Sequence, residues 1–215
     1  MRIAIYDLDN TLTRRATFTP FLVFAAQRIA PWRLALLPVW VAMMIGYRAG
    51  LYDRTALKTR GMRLLLGVTD IATLEKLGRQ FADRRMKNDG FMPAALALLE
   101  EDRAQGARIV VATAAFEFYA RAFADHLRID TVIGTHWDDC SIPGGNCCGE
   151  TKLARVRQWA EQEGQSLEEM DLRFVSDSFA DAPLLELADD PIFITASSGK
   201  RARAQARGWR VLSAD

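Results

Sequence analysis

The residues most often recruited for catalysis and metal binding are scarce here: 215 residues contain three cysteines and two histidines. Two of the cysteines, Cys147 and Cys148, are adjacent, so no disulfide framework can be drawn and a reducing compartment is expected. His136, Cys140, Cys147 and Cys148 fall in one loop but lack the Cys-x2-Cys spacing of zinc sites. Neither His126 nor His136 has the neighbours of a nucleophile or base. Long apolar runs are missing too. The uncharged stretch 34–47 stops short of the roughly 20 residues a membrane span needs, and Pro38 interrupts it. No basic segment followed by an apolar one and a cleavage site opens the chain, so no signal peptide is expected and the location read is cytoplasmic. The net charge is only +1, and no nucleic-acid partner is expected.

Half the residues are hydrophobic, which argues against disorder. The length suits one α/β domain of roughly 140 residues plus an insertion. Charge locates the insertion. Residues 14–87 hold 14 Lys or Arg against 4 Asp or Glu, while the remainder holds 14 against 23. We therefore divide the chain into a catalytic core, residues 1–13 and 88–215, and a basic helical cap, residues 14–87.

The core is organised around its first strand. Ile3, Ala4, Ile5 and Tyr6 form a short apolar run, as in a strand buried on both faces of a parallel sheet. The run stops at Asp7 and Asp9, which in a continuing strand would leave one face at its carboxyl end, where open α/β sheets place their ligands. Two acids held that close repel unless a cation or a shared proton compensates. Mg²⁺ accepts one or two carboxylates, keeps several waters and takes further ligands from a substrate phosphate. Asp7 is then placed to attack phosphorus while Asp9 handles the proton of the leaving alcohol.

Further strands are predicted at 108–112, 131–133, 172–176, 192–194 and 209–212, alternating with helices. The second ends at Thr113, a candidate hydrogen-bond donor to a phosphoryl oxygen that is equally suited to capping the next helix. Lys152 opens a helix, a position the helix dipole disfavours for a cation by a few tenths of a kcal/mol, and could neutralise both Asp7 and a phosphate. The fourth strand ends in Ser176-Asp177-Ser178-Phe179-Ala180-Asp181, a second pair of carboxylates. Asp177 is read as a direct metal ligand, Asp181 as a ligand through water or a group that holds the ligands.

In order, these four signals resemble the haloacid dehalogenase superfamily, and within it the phosphoserine-phosphatase-like branch with a helical cap of the C1 type. The resemblance covers essentially the whole chain. It implies a Rossmann-like parallel sheet and a Mg²⁺-dependent phosphatase working through an aspartyl-phosphate. It further implies Asp7 as nucleophile, Asp9 as acid and base with its backbone carbonyl on the metal, Thr113 and Lys152 on the phosphoryl oxygens, and Asp177 completing the metal site. Asn10 and Ser176 stand where glycine is commoner.

The cap is predicted helical. Phe18, Phe21, Leu22, Ala25, Ala26 and Ile29 recur at helical spacing, Pro31 interrupts, and Asp53 and Asp70 are candidate N-caps. Residues 12–21 and the apolar run after them are similar to bacterial relatives that include a phosphatidylglycerophosphate phosphatase. No cap acid suited to a substrate amine stands near residues 14–24. Apolar residues with Trp32 and Trp40, flanked by Arg14, Arg15, Arg28, Arg33 and Arg48, suit either an acidic, partly apolar phosphorylated substrate or an anionic membrane surface touched peripherally. Arg14 and Arg15 are the substrate-binding candidates. The alternatives are a phosphoserine-type amino-acid phosphatase, a phosphoacceptor receiver module, and an inactive membrane-associated binding protein of the same fold.

Overall fold

Side chains on successive residues of β1 (Arg2–Tyr6) alternate between two apolar environments, so the strand sits at the centre of its sheet. In the computed structural model, which describes residues 2–214, it is joined by β2 (Arg108–Phe116), β3 (Thr131–Thr135), β4 (Asp171–Ser176), β5 (Asp190–Ile194) and β6 (Arg210–Leu212). All six are parallel, in the order β3-β2-β1-β4-β5-β6. Tyr6 pairs with Val111 on one side and Val175 on the other, so the residues that follow, Asp7 and Asp177, emerge at one rim.

Ile3, Ile5, Val110, Phe174 and Phe193 face one side of the sheet and Ala4, Tyr6, Val111, Val175 and Ile192 the other. Helices cover both faces, as buried parallel sheets require. Four helices of the insertion come first in the chain: α1 (Phe18–Ile29), α2 (Leu37–Arg48), α3 (Arg54–Leu65) and α4 (Ile71–Asn88). The core adds α5 (Pro93–Ala104), α6 (Glu117–His126), α7 (Glu150–Gln162), α8 (Ala182–Leu187) and α9 (Ser198–Gln205). A buried network ties the sheet to α5: the Tyr6 hydroxyl donates to Asp102 at 2.5 Å, and Arg173 donates to the other oxygen of the same carboxylate at 2.5 Å.

The insertion leaves and re-enters the core side by side. Thr13 and Phe91 form an isolated antiparallel bridge, and Met92 N–H donates to the Leu12 carbonyl at 2.8 Å. Asp53 and Asp70 cap α3 and α4, their carboxylates accepting from Ala56 and Thr73 N–H. An aromatic seam holds the cap to the core. Phe21 of α1 stacks on Tyr119 of α6 with ring centroids 4.9 Å apart, and Phe81 of α4 meets Phe123 edge-on at 5.9 Å. Gly78 lets the two helices approach, since a Cβ there would lie 2.6 Å from the Phe118 carbonyl oxygen.

Three boundaries differ from the sequence reading. β2 does not stop at Ala112 but continues to Phe116, with a register shift against β3 between those residues, so Thr113 lies inside the strand. The uncharged stretch 34–47 is divided between two elements: Pro31 starts a tight 3-10 turn, Pro31–Leu36, before α2 begins. Nor does the chain run on extended past Asp7. It enters a wide turn over Leu8–Leu12, with Asn10 in the left-handed region at φ +55°, which asparagine tolerates.

Candidate active site

A cavity of about 620 Å³ lies between the carboxyl rim of the sheet and the cap. Asp7, Asp9, Lys152, Asp177 and Asp181 border it from the core, and Arg48, Arg54 and Lys58 from the cap. Residues up to 174 positions apart in sequence thus meet at one place.

Asp7 is nearly fully buried, its Oδ1 accepting from Leu8 N–H at 2.8 Å. Burial pushes its carboxyl up to about 7, Lys152 opposes this, and Asp181, Asp177 and Asp9 add to it. Lys152 is 1% exposed, and its Nζ donates to Asp181 Oδ2 at 2.7 Å and lies 3.4 Å from Asp7 Oδ1. Burial by itself would lower the ammonium's pKa, but the Asp181 and Asp7 carboxylates outweigh it and hold the group well above its ordinary value. Gly149 places the lysine. At φ +59° it turns the chain into α7, and a Cβ there would press on the Ala180 carbonyl at 3.2 Å.

Asp181 is committed to that lysine. Its Oδ2 also accepts from Ser176 Oγ at 2.9 Å, while its Oδ1 is buried without a protein partner. Ser176 thus holds the group that holds Lys152. Asp177 is less enclosed, 3.8 Å from Lys200 Nζ. Burial raises its pKa to about 6; Lys200 opposes this, while Asp181 and Asp9 add to it.

Asp9 leaves the strand line and turns to the base of the cap. Its Oδ1 accepts from Thr17 N–H at 2.9 Å and Thr17 Oγ1 at 2.6 Å. Burial raises its pKa, and the bonds from Thr17 and the charges of Lys58 and Arg54 restrain the rise. Thr113 is wholly buried; its Oγ1 accepts from Ala115 N–H at 3.1 Å, leaving the hydroxyl proton to donate, but Ala114 rather than Thr113 borders the cavity.

Arg14 and Arg15 are not brought to this cavity. Both are exposed and border an adjoining depression that shares Asn10, Asp177 and Lys200 with the cavity, with Arg14 Nε donating to the Phe91 carbonyl at 3.2 Å. The arginines immediately after Thr13 follow the linker outward, so sequence proximity to the acidic tip misplaced them. Of the cap cations that do reach the cavity, Arg48 ends α2, and Arg54 and Lys58 sit one turn apart at the start of α3. The signal of the latter two was the one noticed for Lys152, positive charge in the first turns of a helix.

The donors suit a hard cation. Asp7 and Asp177 face one cavity closely enough for one to raise the other's pKa, and four carboxylates crowd the core rim. Among the described residues no three acidic, histidine or cysteine side chains gather closely enough to hold an ion unaided. A cation held between these acids would draw on oxygen ligands other than side-chain carboxylates as well, as a hard ion such as Mg²⁺ does with water. Among the described residues no helix is long and apolar enough to cross a membrane.

Comparison with known proteins agrees with this arrangement. The sequence profile of the haloacid dehalogenase-like hydrolases matches residues 4–186. Protein CicA of Caulobacter vibrioides is 31% identical over 166 residues, covering 73% of this chain and 71% of its own. A histidinol-phosphatase of Neisseria meningitidis is 28% identical over 129 residues, 56% of this chain and 58% of that one. A Bordetella pertussis protein of unknown function superposes with a TM-score of 0.83 at 25% identity, over 100% of this chain and 99% of its own. Phosphoserine phosphatases superpose at TM-scores of 0.53 to 0.62 with 14–15% identity, a likeness of fold. With its sheet order, its acid-tipped first strand and this match over most of its length, the chain belongs to the haloacid dehalogenase-like hydrolases, and its fold is like that of phosphoserine phosphatases.

Proposed function

We propose that the chain is a Mg²⁺-dependent phosphomonoester phosphatase that works through a phosphorylated Asp7. The observation that carries this reading is the buried Asp7–Lys152–Asp181 chain of contacts, 3.4 and 2.7 Å, facing Asp9 and Asp177 across one cavity. The residues that would hold the metal are Asp7, Asp177 and the backbone carbonyl of Asp9; when bound, the ion supplies positive charge against the phosphoryl oxygens. Asp181 serves Lys152 instead of the metal directly.

A carboxylate oxygen of Asp7 attacks phosphorus, and the ester P–O bond breaks. Asp9 gives its proton to the departing alkoxide; its raised pKa favours the protonated form this requires. Water then attacks the aspartyl-phosphate, Asp9 takes the water's proton, and inorganic phosphate leaves with the Asp7 carboxylate restored. Lys152 offers its remaining N–H donors to the phosphoryl oxygens, and Thr113, buried beneath the cavity wall, accepts from Ala115 N–H and so braces the β2 tip beside them. Burial strengthens each of these interactions.

The test is phosphate release from phenyl phosphate by the purified full chain with Mg²⁺. Repeated turnover that stops on chelation and in Asp7→Asn is expected. No release, or release unaffected by Asp7→Asn, refutes the reading.

A phosphorylated substrate with an apolar part is favoured by the cap. α2 contributes Trp40, Met44 and Tyr47 to the cavity and exposes Val39, Val41 and Ile45 on its outside, near Trp32 at 68% and Leu51 at 75% exposure. With Arg28 and Arg48 exposed alongside, this outer face suits peripheral contact with an anionic membrane at the cytoplasmic side, and with it a phospholipid substrate. Co-sedimentation with vesicles containing anionic lipid, lost in a Trp32→Ala, Ile45→Ser double variant, is expected; equal recovery of both proteins in the supernatant rules it out.

A further inference from the structure

Cations and acids are unevenly distributed around the cavity. The acids that border it, Asp7, Asp9, Asp177 and Asp181, all come from the core, and the core's own cations are spoken for: Lys152 by Asp181 and Asp7, Lys200 by Asp177. The cap side brings Arg48, Arg54 and Lys58 and no acid. Lys58 is 5% exposed, yet its ammonium donates to a neutral acceptor, the Ala114 carbonyl, and lies over the rings of Phe18 and Phe116 at 5.4 and 5.1 Å. The Arg54 guanidinium donates to Cys148 Sγ at 3.8 Å, a weak acceptor.

A cation out of water is unfavourable unless something negative joins it, and Lys58 is in that position, with Arg54, an exposed second cation, one helical turn away at the cavity. Asp9, the acid whose charge acts on both, has its Oδ1 engaged by both donors of Thr17. Another donor waits nearby: Trp40 borders the cavity, and its buried indole N–H has no partner. The wall between is apolar, made by Phe18, Met44, Tyr47 and Leu57.

We infer that Arg54 and Lys58 form a second anion site, so that the preferred substrates are phosphomonoesters whose other end carries a negative charge, a carboxylate or a phosphodiester, on a short carbon body, with no amine. This rests on the phosphatase reading, since it places the scissile phosphate at Asp7 and the second charge at the cap. A substrate amine finds only cations on the cap side, and an uncharged end leaves Arg54 and Lys58 to share Asp9, which Thr17 already engages, as their counter-charge.

The experiment is a charge series on the full chain with Mg²⁺, phenyl phosphate serving as reference. Glycerol 3-phosphate is the neutral member and O-phosphoethanolamine the cationic one. The anionic members are 3-phosphoglycerate and a glycerol 3-phosphate bearing a methyl phosphodiester at carbon 1; whichever of the two is turned over better identifies the source of the second charge. The expected kcat/KM is about tenfold or more higher for an anionic member than for glycerol 3-phosphate, the scale of one charge-assisted hydrogen bond, and lowest for phosphoethanolamine. Arg54→Gln and Lys58→Gln should each shrink the anionic-to-neutral ratio several-fold, mainly through KM, and Lys58→Arg should keep it. A flat or reversed series alongside turnover of phenyl phosphate overturns the anion site alone, as does a ratio that survives Arg54→Gln. Absence of phenyl phosphate turnover overturns the phosphatase reading and this one together. The wild-type series decides the matter even where a variant fails to fold.

Discussion

The two walls of the cavity are built on opposite plans. At the sheet rim every charged group has a counterpart in the chain: Lys152 with Asp181 and Asp7, Asp181 with Ser176, Asp177 with Lys200. On α3, Arg54 and Lys58 are left with a thiol and a carbonyl. The first wall is preorganised for the group that all phosphomonoesters share. The second is unfinished until something negative arrives, and so it is placed to read what differs between substrates. Preorganised charge stabilises a transition state because nothing must be rearranged at the moment of reaction; unmatched charge selects because the wrong ligand leaves it unpaired.

The largest effect should come from breaking the finished wall. Lys152→Met removes the ammonium and leaves Asp7 and Asp181 buried together, an uncompensated arrangement of the kind that costs about 3–5 kcal/mol. Phosphate release should fall on the order of a hundredfold or more, and the thermal midpoint should fall as well. Asp181→Asn keeps Lys152 and weakens only its support, so a smaller loss, about 10- to 100-fold, is expected. If Asp181→Asn proved the more damaging of the two in steady-state assays, Asp181 would have to touch the metal or substrate itself, and the assignment of roles along that wall would be wrong.

The difference between the walls also explains what could be read without coordinates. The rim was legible because its groups sit at strand tips and helix starts, where one-dimensional signals are sharp: an apolar run ending in Asp7-x-Asp9, and a lysine in a first turn against the dipole. Lys152 looked misplaced for a helix, and the structure gives the reason, since two carboxylates outweigh the dipole. A parallel sheet was legible from strands alternating with helices, and the burial of its first strand from four consecutive apolar residues, whereas the order of the strands was not. Charge marked the inserted helices, and two aspartates capped them as expected.

The cap wall was not legible to the same degree. Which face of α3 turns to the core depends on Trp40, Leu22 and Gly61 packing together, where a Cβ on Gly61 would lie 2.7 Å from the Trp40 ring. Nothing in a run of fourteen basic residues says which of them a tertiary contact will bury. Arg14 and Arg15 were chosen for closeness in sequence to Asp9 and lie outside the cavity, whereas Lys58, over forty positions further on, lies inside it. The extent of β2 was missed for a related reason: Thr113 looks like a cap, and the register shift that carries the strand past it is set by pairing with β3.

The smallest effect separates the walls by pH. Burial, with Arg54 adding, lowers Lys58 from an ordinary 10.5 to about 7, Asp9, Cys147 and Cys148 opposing. Below pH 7 the lysine is charged both folded and unfolded, and its burial penalty is fully present. Between about 7 and 10.5 the folded chain has released the proton while the unfolded chain keeps it, so the unfolded state binds more protons and stability rises with pH, by at most about 1.4 kcal/mol per pH unit. Lys58→Met removes that contribution, and the Ala114 carbonyl still accepts from Thr135 Oγ1 at 2.7 Å. The variant should therefore gain a few degrees in thermal midpoint relative to the native chain at pH 6, and less at pH 9. Lys152 should behave in the opposite sense, because its carboxylates hold its proton more tightly in the folded state than water does in the unfolded one. A Lys58→Met gain that is equal at both pH values would mean that the ammonium is already matched within the chain, and the contrast between the two walls would fall with it.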